Sequence, residues 1–131
     1  MVIDSSAIIA ILCDEPEAEG FTRAIENDPI RLMSAASLLE SSIVIETRYG
    51  EEGGCKLDLL LSKAQIKIEP VTAEQAKTAR IAFRTYGKGR RHPAALNFGD
   101  CFSYALAKIS GEPLLFKGND FSKTDIKQAY M

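Results

Sequence analysis

Four short apolar segments that read as β-strands are each separated from the next by helical sequence, and no hairpin turn joins any two of them. The strand-like segments cover residues 1–4, 31–34, 66–70 and 113–116. Consecutive strands that are linked through helices run parallel, whereas tight hairpins join antiparallel strands. We therefore predict an α/β fold with three layers, α/β/α, around a central parallel sheet of four or five strands.

Several helix boundaries can be predicted from residues that cap or interrupt helices. Ser5 or Ser6 is expected to cap the first helix, and Ser34 and Thr72 are expected to cap two later ones, because side-chain oxygens accept from free first-turn amides. Glycines at positions 50, 53 and 54 are expected to divide one helix over residues 35–48 from another that begins at residue 55. Residues 121–131 are predicted to add a short turn and an edge strand.

Length and composition limit the class of protein. A chain of 131 residues with 46% hydrophobic and 26% charged residues is typical of one globular domain, here residues 1–131. Its apolar runs are too short to cross a membrane, and no basic segment precedes a cleavable apolar one, so we expect a cytoplasmic protein. Three cysteines without a C-x-x-C motif argue against a disulfide framework or a structural zinc site. Cys101 is expected to be a buried packing residue.

Four acidic residues lie where strands run into helices or loops: Asp4, Glu40, Asp100 and Asp120. The carboxyl ends of parallel strands meet at one edge of the sheet, which is where open α/β sheets bind ligands. Carboxylates gathered at such an edge repel one another unless a cation neutralises them, and oxygen ligands suit a hard divalent metal. We therefore predict an acidic metal site at this edge.

Each acid also has a simpler interpretation. Asp100 can be a helix cap and nothing more, and Glu40 can lie on a solvated helix face. Asp120 belongs to a good turn sequence, Gly-Asn-Asp. Asp4 is harder to explain in this way, because a carboxylate that ends a buried strand needs a compensating partner. The shared placement of all four acids at one edge is what indicates a site.

The available residue types restrict the reaction. His92 is the only histidine and has no evident serine and acid partners, and no glycine-rich phosphate loop with a lysine is present. An all-carboxylate site favours Mg²⁺ or Mn²⁺ over zinc, which prefers nitrogen and sulfur ligands. Such a metal activates water and stabilises a departing phosphodiester oxygen, so phosphodiester hydrolysis is the reaction we expect.

A basic segment complements the acids, although the net charge is −2. No acidic residue occurs between Glu74 and Asp100, and the segment contains Lys77, Arg80, Arg84, Lys88, Arg90 and Arg91. The first four recur every three or four residues, which places them on one face of a helix. These side chains can bind the phosphates of a polyanionic substrate, or they can simply form a solvated helix face.

The chain resembles the PIN-domain ribonucleases, and more narrowly the VapC-type toxins of prokaryotic toxin–antitoxin pairs. The resemblance covers essentially the whole chain and rests on VIDSSA at residues 2–7, SLLE at 37–40, NFGDC at 97–101 and LLFKGNDF at 114–121. It implies a PIN-like α/β/α domain that cuts RNA, in which Asp4, Glu40 and Asp100 bind Mg²⁺ or Mn²⁺ and Ser5 borders the site. It also implies a homodimer and a small VapB-like antitoxin that occupies the active-site groove.

The fourth acidic position departs from the family pattern, since many members carry an aspartate immediately after the fourth strand. Here Gly118 and Asn119 precede Asp120. Either Asp120 replaces the usual acid from a shifted position, or three carboxylates act with the neutral Asn119. The substrate-binding residues are then expected to be Ser5, Asn119, Arg84, Lys88, Arg90 and Arg91.

Two other functions fit parts of the sequence. Aspartyl phosphotransfer also places an acid after the first strand, but the segment 66–70 ends without the aspartate that a receiver domain needs, and Ser6 stands where the related phosphatases have a second aspartate. A catalytically inactive PIN-like module that binds RNA or protein is the alternative that the unusual fourth acid leaves open.

Overall fold

The computed structural model describes residues 1–129. Its strands are β1 Val2–Ile3, β2 Leu32–Ser34, β3 Lys67–Glu69 and β4 Leu114–Leu115. Its helices are α1 Ser5–Leu12, α2 Ala18–Asn27, α3 Ala35–Lys63, α4 Ala73–Tyr86 and α5 Phe98–Ser110, followed by a 3₁₀ turn at Phe121–Lys123. Within this described part, no helix combines the length and the apolar character that crossing a bilayer requires.

The four strands form one sheet in the order β3-β2-β1-β4, and every neighbouring pair is parallel. Residues that follow one another along a strand point to opposite faces of a sheet. Accordingly, Val2 and Leu114 pack in a core cluster with α4 and α5, whereas Ile3 and Leu115 pack in a second cluster with α1, α2 and α3. The predicted three-layer α/β/α architecture is confirmed, with four strands.

Side-chain caps fix the starts of four helices. Ser34 accepts a hydrogen bond from the backbone N–H of Ala36, and Thr72 accepts one from Gln75, so both predicted caps are confirmed. The predicted Ser5 or Ser6 cap is wrong, because Asp4 holds the N-cap position of α1 and accepts from the N–H of Ser6. An aspartate that ends β1 therefore also begins α1.

Helix α3 consists of two helical halves, as predicted, but they divide at Gly50 alone, and the second half begins before the predicted residue 55. It runs without interruption from Ala35 to Lys63, apart from Gly50, whose φ of 69° and ψ of −162° are not helical. Gly50 lies in the left-handed φ region that glycine tolerates, so the helix kinks there. Gly53 and Gly54 are buried within the second half, where their lack of side chains lets that half approach the first.

The chain after β4 forms the predicted turn but only a trace of the predicted edge strand. Leu114 donates to the carbonyl of Lys127 at 2.9 Å and accepts from the N–H of Ala129 at 2.9 Å, which gives one isolated parallel bridge. Residues 130 and 131 of the predicted segment lie outside the described residues.

Candidate active site

The fold carries the four acids to one edge of the sheet. Asp4 directly follows β1, Glu40 lies in the second turn of the helix that follows β2, and Asp120 lies just beyond β4. The expectation that Asp100 follows a strand is wrong, because it is in the first turn of α5, the helix that leads into β4. Thirteen helical residues span about 20 Å, so the start of α5 lies at the opposite edge from the start of β4. That edge is the one where the other three acids lie.

Asp4 is a buried carboxylate, with 2% of its surface exposed. Its Oδ2 accepts from the backbone N–H of Ser6 at 3.0 Å, and its Oδ1 accepts a short hydrogen bond from the hydroxyl of Ser103. Burying a charge is unfavourable unless donors or a cation compensate it. Each oxygen of Asp4 therefore has one protein donor that fixes its orientation.

Glu40 is held between Ser5 and the backbone of α5. The Ser5 hydroxyl donates to Oε1 of Glu40 at 2.6 Å. On the other side, a Cβ atom placed on Gly99 would come within 2.9 Å of Oε1 and closer still to Oε2. Only a glycine leaves space for the carboxylate at this point, so Gly99 brings Glu40 against the start of α5, next to Asp100.

Asp100 forms a reciprocal cap at the start of α5. Its Oδ2 accepts from the N–H of Asn97 at 3.0 Å, and its own N–H donates to the Asn97 side-chain oxygen at 2.8 Å. Partial burial raises the pKa of Asp100 to about 7, with further increases from the negative charges of Asp4, Asp120 and Glu40, while the Asn97 N–H opposes the rise. The simple capping role that the sequence left open is therefore real, and it coexists with repulsion from three other carboxylates.

Asp120 and Asn119 lie on an exposed loop that is anchored beside Asp4. The backbone N–H of Lys117 donates to the Ser6 hydroxyl at 3.0 Å, and the Lys117 ammonium pairs with Glu15 at 2.7 Å. Through these contacts the loop after β4 is tied to the start of α1. Asp120 is close enough for its charge to act on Asp100, although its side chain remains exposed.

The donor set fits a hard divalent cation rather than zinc. All four acids offer oxygen atoms, and the repulsion that raises the pKa of Asp100 is relieved when positive charge is placed among them. Within residues 1–129, however, no three His, Cys, Asp or Glu side chains are close enough to form a ready set of metal ligands. Asp4, Glu40 and Asp120 are thus brought within electrostatic range of Asp100, and protein hydrogen bonds hold the side chains of Asp4, Glu40 and Asp100.

The six basic residues extend from helix α4 into the loop that follows it. Helix α4 ends at Tyr86, so only Lys77, Arg80 and Arg84 are helical, and the other three belong to the loop that follows. All six are exposed, and among the described residues none of them pairs with an acid. Arg90 lies over the ring of Phe83 at 5.8 Å, and Arg80 lines an apolar groove together with Phe98 and Phe102.

Cys101 is buried, so its predicted packing role is confirmed. Burial and the neighbouring Asp100 raise the pKa of its thiol to about 11, which leaves it unreactive as a nucleophile. His92 is also engaged structurally, since its Nδ1 accepts from the N–H of Ala94 and its ring packs edge-on against Tyr86.

Two residues at the site were not anticipated from the sequence, namely Gly99 as a spacer for Glu40 and Ser103 as a donor to Asp4. Ser103 lies three residues after Asp100, which puts both on one face of α5. This spacing could have indicated that Ser103 faces the same site as Asp100. Nothing along the sequence, however, pairs Ser103 with a residue 99 positions earlier.

Comparison with known proteins agrees with the geometry. Residues 1–127 match the model of the PIN domain family. A VapC ribonuclease of Mycobacterium bovis and ribonuclease VapC30 of Mycobacterium tuberculosis are each 64% identical to this chain over 126 residues, which is 96% of this chain and 95% of theirs. Ribonuclease VapC of Mycolicibacterium smegmatis is 60% identical over 126 residues, 96% of this chain and 97% of its own.

The fold is also that of solved VapC structures. The crystal structure of VapC20 from Mycobacterium tuberculosis, a sarcin-ricin loop cleaving toxin, superimposes with a TM-score of 0.80 at 17% identity, over 99% of this chain and 98% of that one. The family match excludes the aspartyl phosphotransfer alternative. The chain belongs to the PIN-domain family and, within it, to the VapC-type ribonuclease toxins.

Proposed function

We propose that this chain, as one PIN domain over residues 1–131, is an endoribonuclease that depends on Mg²⁺ or Mn²⁺ and cuts RNA at the acidic edge of the sheet. The observation that carries the proposal is the convergence of acids from distant parts of the chain: the charges of Asp4, Glu40 and Asp120 all act on the half-buried Asp100, and they add to the rise that burial causes in its pKa. Concentrated negative charge of this kind is costly to a fold, and such arrangements are found most often at functional sites.

In this proposal Asp4, Glu40 and Asp100 hold the cation. When bound, Mg²⁺ or Mn²⁺ supplies an activated water and positive charge beside the scissile phosphate. Ser5 keeps the Glu40 carboxylate in place, and the N–H of Asn97 does the same for Asp100. These donors lie at the starts of α1 and α5, so the two helices orient the carboxylates for the cation.

Asp120 is proposed as the fourth acid, from its shifted position beyond Gly118 and Asn119. Its charge acts on Asp100, which supports a place at the mouth of the site rather than in a distant turn. Asn119 is proposed to donate its side-chain amide to the RNA backbone. The loop that carries both residues is fixed by Lys117, through Ser6 and Glu15.

RNA binding is assigned to the exposed cations of α4 and the following loop, with Arg84, Lys88, Arg90 and Arg91 contacting phosphates. Their charges are free of acidic partners in the described structure, so contact with phosphate does not require breaking an ion pair. Phosphate contacts provide affinity and position the backbone without reading its sequence.

We also propose that the active form is a homodimer and that a VapB-like antitoxin silences it. The enzyme and the antitoxin are both expected to act in the cytoplasm. Support for the antitoxin comes from two further folds of the same kind. One is a toxin–antitoxin complex from Klebsiella pneumoniae, with a TM-score of 0.72, and the other is VapBC2 from Rickettsia felis, with a TM-score of 0.73. Three free cysteines suit a reducing compartment.

The direct test is cleavage of structured and single-stranded RNAs by purified protein in Mg²⁺, in Mn²⁺ and in EDTA, alongside Asp4→Ala and Asp100→Asn. We expect cutting that needs the cation and that both substitutions abolish. Cleavage that persists in EDTA would contradict a metal-dependent mechanism. Binding of RNA without cleavage under any condition would instead support the inactive PIN-like module.

A further inference from the structure

A chain of buried hydroxyl groups leads from α3 through α5 to Asp4. Ser103 on α5 is fully buried, and its hydroxyl donates to Oδ1 of Asp4. Ser37 on α3 is 1% exposed, and its hydroxyl oxygen lies 3.1 Å from that of Ser103. A serine hydroxyl has a single hydrogen to donate. Since the hydrogen of Ser103 is used by Asp4, the hydrogen between the two serines must come from Ser37.

We propose that Ser103 is a positioning residue for Asp4, and that Ser37 supports it. This inference rests on the proposed function, in which Asp4 binds the divalent cation. The N–H of Ser6 fixes Oδ2 of Asp4, and the Ser103 hydroxyl fixes Oδ1. With both oxygens held, the orientation of the carboxylate is fixed, and each oxygen keeps a lone pair that can bind a cation.

The arrangement also couples two of the acids. Ser103 lies one turn after Asp100 on α5, so one helix supplies a cation-binding acid and the hydroxyl that orients a second acid. Ser37 lies one turn before Glu40 on α3, so the series of hydroxyl groups also reaches the helix that carries the third acid. Residues that orient metal ligands typically affect metal affinity by about 10-fold to 100-fold when they are removed.

A nearby serine is equally buried but donates neither to an acid nor to the hydroxyl of Ser103. Ser41 is fully buried on α3, but its hydroxyl donates to the carbonyl of Ser37 at 2.9 Å, within its own helix. Replacement of Ser41 by alanine therefore removes a buried hydroxyl without disturbing a donor to any acid. It is a matched control for Ser103→Ala.

The experiment measures Mn²⁺ affinity by isothermal titration calorimetry on RNA-free protein, for the wild type and for Ser103→Ala, Ser41→Ala and Asp4→Asn. Thermal unfolding in EDTA is recorded for each variant. We expect Ser103→Ala to weaken Mn²⁺ binding by about 10-fold, while Ser41→Ala stays within about twofold of the wild type. Asp4→Asn should lose most of the binding.

The outcomes separate the two proposals. If Ser103→Ala binds Mn²⁺ as tightly as Ser41→Ala while Asp4→Asn loses binding, the positioning role is wrong and the cation site stands. If Asp4→Asn binds as tightly as the wild type, the proposed function itself fails. Should Ser103→Ala not fold, Ser103→Cys decides, because it leaves no cavity and has only a weak donor. Unchanged affinity in that variant would overturn the positioning role.

Discussion

Replacement of Gly99 by alanine should remove catalysis without destabilising the protein. The added Cβ would lie 2.9 Å from Oε1 of Glu40, and nearer still to Oε2, whereas ordinary contacts begin at 3.4 Å. The carboxylate must therefore move by roughly 1 Å, away from the Ser5 hydroxyl that holds it at 2.6 Å. A misplacement of this size at a catalytic group can lower the rate by about 100-fold.

The fold should tolerate the same change. Gly99 lies in the first turn of α5, and its φ is outside the left-handed region, so the backbone there accepts alanine. Alanine is also a better helix former than glycine, by up to about 1 kcal/mol. The midpoint of thermal unfolding should stay level or rise, while the RNA cleavage rate falls by about 100-fold.

Gly54→Ala provides a matched control. There the added Cβ would lie 2.5 Å from Oε2 of Glu46, another glutamate carboxylate, but Glu46 is exposed and can rotate into solvent. We expect Gly54→Ala to cleave RNA at close to the wild-type rate. If Gly99→Ala is folded and cleaves within about threefold of the wild type, Gly99 does not act as a spacer for Glu40, because such a displacement should cause a much larger loss.

Three further predictions concern charge. Burial and neighbouring carboxylates raise the pKa of Asp100 to about 7, so the folded protein binds this proton more tightly than the unfolded chain does. In EDTA the wild type should therefore lose stability as the pH rises from about 4 to about 8. Asp100→Asn should remove about 2 kcal/mol of that loss, measured by unfolding at each pH. Asp120→Asn should lower cleavage by about 10-fold, less than Asp4→Ala, since an exposed acid is a weaker electrostatic partner; equal losses would contradict its place at the mouth of the site. Replacing Arg90 and Arg91 with alanine should weaken RNA binding and reduce the slope of affinity against salt by about one or two, and unchanged binding at every salt concentration would count against these contacts.

The sequence was sufficient to predict the fold and to nominate the acids. Short apolar strands separated by helices leave few topologies open, and a parallel sheet follows from them. Asp4 could be singled out because a charged residue at the end of a buried strand needs an explanation. Placement after strands was a local signal for Glu40 and Asp120 as well, since parallel strands share one carboxyl edge. Asp100 carried no such signal, because it opens the helix that precedes β4.

Features that depend on close approach between distant segments could not be predicted in the same way. The Asp4–Ser103 bond joins residues 99 positions apart, and Gly99 is required only because Glu40 packs against it. The kinked helix α3 shows the same limit: glycines at positions 53 and 54 suggested a break, yet packing of the two halves against each other keeps both residues helical. Local propensity gives way where tertiary contacts favour another conformation.

The cap of α1 was mispredicted because three polar residues in succession can fill that position, and local sequence does not choose among them. The structure assigns it to Asp4, whose carboxylate is thereby fixed at the start of a helix. The residue that most clearly marked the candidate site is thus also the one that organises the local backbone.

The central claim is that the acids from β1, α3 and α5 jointly hold one or more hard divalent cations. Anomalous X-ray diffraction from crystals containing Mn²⁺ tests it most directly, because the signal locates the metal without assumptions about mechanism. We predict an anomalous peak within coordination distance of carboxylate oxygens of Asp4 and Asp100, and no such peak in crystals of Asp4→Asn. Ordered Mn²⁺ found only elsewhere on the protein, or an unchanged peak in the variant, would contradict the account.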